Sequence, residues 1–162
     1  MISVSLATLL DYSEHERAKW KARIAADPKR LALVYQPGGR FPTLGALLDH
    51  IFLVERRHLS RLQGATPPDA SGVTPGDVDA LFEYAALVRA DFRKFVADLN
   101  DAAAKETITF AVQSGTYSMK REQLSAHVLL HEIRHLAQAA LAARLAGDAP
   151  PGEHDYFYFT QK

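Results

Sequence analysis

Apolar residues recur at intervals of three and four in four long stretches of this chain, separated by segments rich in proline, glycine and polar residues. That period is the signature of a helix with one face turned toward a core. The first stretch, residues 3–27, carries Val4, Leu6, Leu9, Leu10, Trp20 and Ile24 around a polar middle, and it predicts an amphipathic helix. "DPKRLALVYQPGGRFPT" follows, a loop by its prolines and paired glycines, with a short ordered piece expected at "RLALVY". Thr43 is placed to cap a second helix, "LGALLDHIFLVERRHLSRLQ", which stops at Gly64. Its apolar face is broad: Leu44, Leu47, Leu48, Ile51, Val54, Leu59 and Leu62.

A turn-rich connection, "GATPPDASGVTPGD", leads into a third helix through "VDALFEYAALVRADFRKFVADLN". Its candidate core positions are Leu81, Phe82, Tyr84, Leu87, Val88, Phe92, Phe95 and Leu99. "TITFAVQSGTYSM" breaks the helical period. Thr107 to Phe110 favour strand, Ser114-Gly115 marks a turn, and Thr116 and Tyr117 favour strand again, so a hairpin is expected. Ser118 then offers a cap for a long fourth helix, "REQLSAHVLLHEIRHLAQAALAARLA", ended by Gly147. The aromatic tail "HDYFYF" suits packing across the bundle or an interaction patch. The expected fold is therefore all-α: one domain over residues 1–162, a four-helix bundle with a short β-hairpin between helices 3 and 4.

Composition narrows the function. Lysine plus arginine equals aspartate plus glutamate at 19 each, so no basic excess points to nucleic acid or an anionic membrane. There is no cysteine, which excludes disulfides, thiolate metal sites and a cysteine nucleophile. The first residues lack the basic start and cleavage site of a signal peptide, and no apolar run is long enough to span a bilayer. A cytoplasmic location, with no nucleic-acid or membrane partner, is the resulting expectation.

Seven histidines are the informative excess. On a helix, residues four apart differ by about 40° in direction and about 6 Å along the axis, so two such imidazoles can share one ion. The fourth helix carries His127, His131 and His135. The outer two, roughly 12 Å apart, cannot share one metal, so His131 belongs to whichever pair forms. On the second helix His50 sits within the apolar face, between Leu47, Leu48, Ile51 and Val54, and a buried histidine needs partners. His58, among Arg56, Arg57 and Arg61, reads as solvated, and His15 and His154 have no neighbour at ligand spacing.

Three metal chemistries fit parts of this pattern. "HEIRH" matches the zinc-peptidase motif with Glu132 as base, but Gln138 and Leu141 stand where the extended form needs glycine and histidine. Glu-x-x-His occurs twice, as Glu55–His58 and Glu132–His135, which is a di-iron pattern needing further carboxylates from Glu14, Glu16 or Glu83. Glu55, in "ERRH", reads as solvent-facing. The third chemistry is a mononuclear site of His50, His131 and His135, whose imidazoles suit zinc, nickel, iron or copper and leave positions open.

The order of these elements resembles the DinB family of bacterial helix-bundle proteins over essentially the whole chain. The resemblance lies in the His50-plus-Glu55 spacing, the His131/His135 pair with Gln138 following, and the aspartate–aromatic end. Family members commonly read His-Arg-Gly-Gln after the second histidine of the pair; here the run is His135-Leu136-Ala137-Gln138. The resemblance implies a divalent metal, zinc or nickel foremost and iron or manganese next, on His50, His131 and His135. Glu132 is then a neighbour of the site, and Glu55, His127 and Gln138 are candidates to support it or take part in catalysis. It further implies a small-molecule substrate, a homodimer, and thiol-dependent S-transfer or hydrolysis, with a low-molecular-weight thiol as co-reactant. The competing class is a non-catalytic, metal-binding or stress-response dimer. Tyr35 and Arg40 lie in the loop nearest the expected pocket.

Overall fold

The computed structural model describes residues 4–160. The first three and last two residues of the expected domain, and the part of the leader reading that falls on them, lie outside the described residues. Four long helices form the bundle: α1 (Leu6–Ala26), α2 (Leu44–Leu62), α3 (Val78–Asp98) and α5 (Arg121–Leu145). Helix α1 packs on α3 and α5, and so does α2, so α1 and α2 face each other across the bundle axis, as do α3 and α5. Short helices α4 (Asp101–Lys105) and α6 (Tyr156–Phe159) complete the helical set among the described residues.

The helix starts follow local chemistry. Thr43 Oγ1 accepts from the Ala46 N–H at 3.2 Å, and Asp77 Oδ1 accepts from that of Ala80 at 2.9 Å. Gly64, at φ +71°, ends α2 in the left-handed conformation a side chain disfavours. "RLALVY" is ordered as the end of a 3₁₀ turn (Pro28–Ala32) and a bridge between Val34 and Thr43. The hairpin is present as β1 (Thr107–Val112) against β2 (Gly115–Lys120), antiparallel, with Val112 opposite Gly115. It runs further than expected. Ser118 lies within β2 opposite Thr109 instead of capping a helix, and Lys120 precedes α5 with its N–H held by Gln123 Oε1 at 3.0 Å. Val4 and Leu87 are exposed, not core. Tyr156 packs edge-on against Tyr12, so the tail crosses α1, while Phe157 and Tyr158 stay exposed.

The core is split in two. One cluster gathers Trp20, Ile24, Leu48, Phe52, Phe82 and Leu136; the other gathers Leu10, Leu59, Phe92, Leu124 and Val128. Between them, at one level of the bundle, lies a charged layer: Arg17 from α1, Glu55 from α2, Arg89 from α3 and Glu132 from α5, all buried. Arg17 donates from Nη2 to Glu55 Oε2 at 2.6 Å and from Nε to Glu132 Oε1 at 2.9 Å. Arg89 donates from Nε to Glu55 Oε1 at 2.8 Å and from Nη2 to Glu132. Ser13 donates to Glu132 Oε2 at 2.6 Å, and Arg17 also reaches the Ala85 carbonyl at 2.9 Å. Thus each bundle diagonal is spanned by an Arg–Glu pair, and two positive charges balance two negative ones. The polar middle of α1 faces the axis, since Leu10, Ser13, Arg17, Trp20 and Ile24 keep the same three–four spacing throughout.

Burying ions costs several kcal/mol each unless they are paired, and removing one partner exposes that cost. Replacement of Arg89 by methionine is expected to destabilise the protein by about 3–5 kcal/mol. The double replacement Arg89→Met/Glu55→Met keeps the layer neutral and should lose less than the sum of the two single changes. Urea unfolding of the four proteins checks this. Strict additivity would show that the charges act independently.

Candidate metal centre

Helices α2 and α5 bring His50, His131 and His135 together. One ring nitrogen from each lies within 4.8 Å of the other two. The His131 and His135 rings, one turn apart, are 4.4 Å apart at their centres, and His50 faces them at 5.1 and 5.2 Å. Phe41, just ahead of α2, packs on His50 at 4.2 Å and meets His135 edge-on at 6.0 Å.

Electrostatics favour neutral imidazole, the form that ligates metals. Burial pushes His50 down to about 4, with His135 and Arg40 adding to the effect. His131 is pushed down to about 2, by burial first and then by His135 and His50. His135 is also lowered by burial, although its hydrogen bond to Gln138 opposes the shift. The Gln138 oxygen lies 2.5 Å from His135 Nδ1 and accepts a hydrogen bond from its N–H, which leaves Nε2 unprotonated with its lone pair available. Arg134 Nη2 stands 3.4 Å from that nitrogen.

The histidine seam continues beyond the cluster. His127 lies 5.9 Å from His131 and 5.3 Å from His58, ring centre to ring centre. His58 is not in the solvated setting its arginine neighbours suggested. It is partly buried against Phe110 and pushed down to about 3, by burial first and then by Arg61 and His127. His15 lies beside Phe159, and His154 stacks on Trp20 with its Nδ1 2.5 Å from Glu16.

The carboxylates go elsewhere. Glu55 is buried in the charged layer, not solvent-facing, because its partners come from other helices: Arg17 from α1 across the bundle axis and Arg89 from the neighbouring α3. Glu132 turns into the same layer. Burial alone would raise its pKa, but Arg17 and Arg89 hold it down to about 2. Both oxygens are taken up by donors, so Glu132 is a structural anion rather than a base beside water. The di-iron pattern fails for the same reason: guanidinium groups stand at the bundle axis with both Glu-x-x-His carboxylates. Glu83 is exposed, Glu14 pairs with Arg93 and Glu16 with Lys19. Sequence reasoning missed Ser13, Arg17, Arg89 and Phe41. Ser13 and Arg17 were detectable as polar residues at core spacing in α1.

A helical bundle with a histidine cluster of this geometry is compatible with a bound metal ion. The chain belongs to the DinB superfamily, whose sequence model matches residues 30–139, a span that includes all three histidines. No curated protein matches the chain. No helix among the described residues is long and apolar enough to cross a membrane.

The lowered histidine pKa values set a pH dependence. Unfolded, these imidazoles titrate near 6.5; folded, they titrate well below that. Between the two, the unfolded chain binds more protons, so stability falls as pH falls below about 6.5. The metal-free protein is expected to lose thermal stability from about pH 7.5 to about pH 5. His58→Phe should flatten that slope. An unchanged midpoint across the range would show that the imidazoles titrate normally.

Proposed function

We propose that His50, His131 and His135 hold one divalent metal ion, and that the protein is a metal-dependent enzyme acting on a small molecule. The observation that carries this is the convergence of three imidazoles from two helices, in a chain of the DinB superfamily. Three nitrogen donors suit zinc or nickel first, with iron or manganese as alternatives. When bound, such an ion supplies Lewis acidity, which lowers the pKa of a coordinated thiol or water.

The chain's own residues prepare the site. Gln138 fixes the His135 tautomer, and Phe41 shields two of the three rings from water. His127, on the exposed side of α5 next to His131, is placed to accept a proton from an incoming group. Since the chain has no cysteine, a thiol must arrive as co-reactant or substrate. S-transfer from a low-molecular-weight thiol, or hydrolysis, are the reactions this arrangement supports. A purely metal-binding or stress-response protein is the alternative, and turnover with thiols and electrophiles separates the two.

Metal analysis of protein without a polyhistidine tag is expected to give one equivalent. His50→Ala and His131→Ala should each abolish uptake, whereas His58→Ala should retain it. Less than about a tenth of an equivalent, with no uptake on titration, overturns the proposal.

We infer as well that two copies associate. Leu130, Leu141 and Leu145 are exposed along one face of α5, a spacing that suits a second helix. Light scattering should report twice the chain mass, and Leu141→Glu should return it to the single-chain mass.

A further inference from the structure

A cavity of about 640 Å³ opens beside the histidine cluster. Its floor is the 3₁₀ turn with Leu31, its wall is the first half of α2, and its far side is the 73–77 segment with Leu81 of α3. Gly45 and Ala46 are the small residues of α2 in its lining. At Gly45 an added Cβ would come within 3.1 Å of the Leu31 carbonyl, so glycine lets the turn and the helix approach. Ala46, beside it, leaves its side of the cavity open. The lining is chiefly apolar, with Phe41, Leu53 and Val73 prominent, and the volume suits a small molecule rather than a protein segment.

The two ends of the cavity differ. His50 belongs both to its wall and to the histidine cluster, and Phe41 touches both. The Arg40 guanidinium lies over the Phe41 ring at 5.3 Å, placing positive charge at that same end. The two carboxylates in the lining already have donors. Asp49 accepts from Ser71 at 2.5 Å, and Asp77 caps α3. A ligand therefore meets a cationic, imidazole-lined end and an apolar remainder.

We propose that this cavity binds a small amphiphile, its apolar body against Leu53, Val73 and Leu81 and its anionic head at the His50 end beside Arg40. This rests on the metal reading of the same cluster and adds the substrate class: an alkyl or aryl compound bearing a thiolate or carboxylate. Phe41 is then a specificity-determining residue at the junction of body and head, and Ala46 sets the length that fits.

The test uses zinc-loaded protein and straight-chain hydroxamic acids of increasing length, followed by calorimetry. Affinity should rise about threefold to fourfold per added methylene and level off once the cavity is filled. Ala46→Phe should end the rise at a shorter chain with zinc affinity unchanged, and Val73→Trp should do the same from the opposite side. Matched alkyl thiols and carboxylates then tell which head is preferred. Normal zinc uptake with no dependence on chain length overturns the cavity proposal while leaving the metal reading standing. If zinc does not bind at all, the metal reading fails. The cavity is then read in metal-free protein by decanoate displacing anilinonaphthalene sulfonate. Displacement weakened about tenfold by Ala46→Phe supports the cavity at an affinity change of that size, and no displacement overturns it.

Discussion

Four charges at the bundle axis, one from each long helix, constrain everything else in this structure. A buried guanidinium or carboxylate is tolerable only while its partners stay within hydrogen-bond reach. Here every partner lies on a different helix, so a rotation or slide of any one of them leaves an ion unpaired. Apolar packing alone would tolerate such shifts, because leucines and alanines repack with modest loss. The polar layer thus sets helix register, which is the best-attested use of buried polar groups.

The histidine cluster inherits that register. Glu55 lies five residues after His50 on α2, and Glu132 lies between His131 and His135 on α5. With the two carboxylates pinned at the axis, the histidines on the neighbouring faces are directed into the α2–α5 seam. Burial in that seam then keeps them unprotonated at neutral pH. The grouping of the three imidazoles and the lowering of their pKa values both follow from how two helices are held rather than from any loop.

Much of this was legible in the chain. The Thr43 cap, the apolar face of α2, the long α5 and the interrupting hairpin are local patterns, and local patterns survive in sequence. The pairing of His50 with His131 and His135 was also within reach, because helix geometry leaves few combinations. What could not be read were properties conferred by a partner from another helix. Glu55 and His58 sit among arginines in "ERRH" and look wet, yet each turns to a neighbour the linear pattern does not display. Leu87 is the reverse case, an apolar residue on a helical stretch that stays exposed. Ser118 was displaced from a cap by two further residues of strand pairing.

The position of the cluster has a consequence for how such a protein changes over time. A cofactor held at the centre of a bundle is enclosed by all four helices, and altering its surroundings disturbs the core. Here the histidines sit on a seam between two helices, and the cavity next to His50 is closed off largely by the 3₁₀ turn, the residues leading into α2 and the 73–77 segment. Of those connecting pieces only Leu31 is fully part of the core, with Phe41 and Val73 packed at its edge. The lining of the cavity can therefore change through loop substitutions while the charged layer and the three histidines stay as they are: a fixed cluster with an exchangeable vestibule.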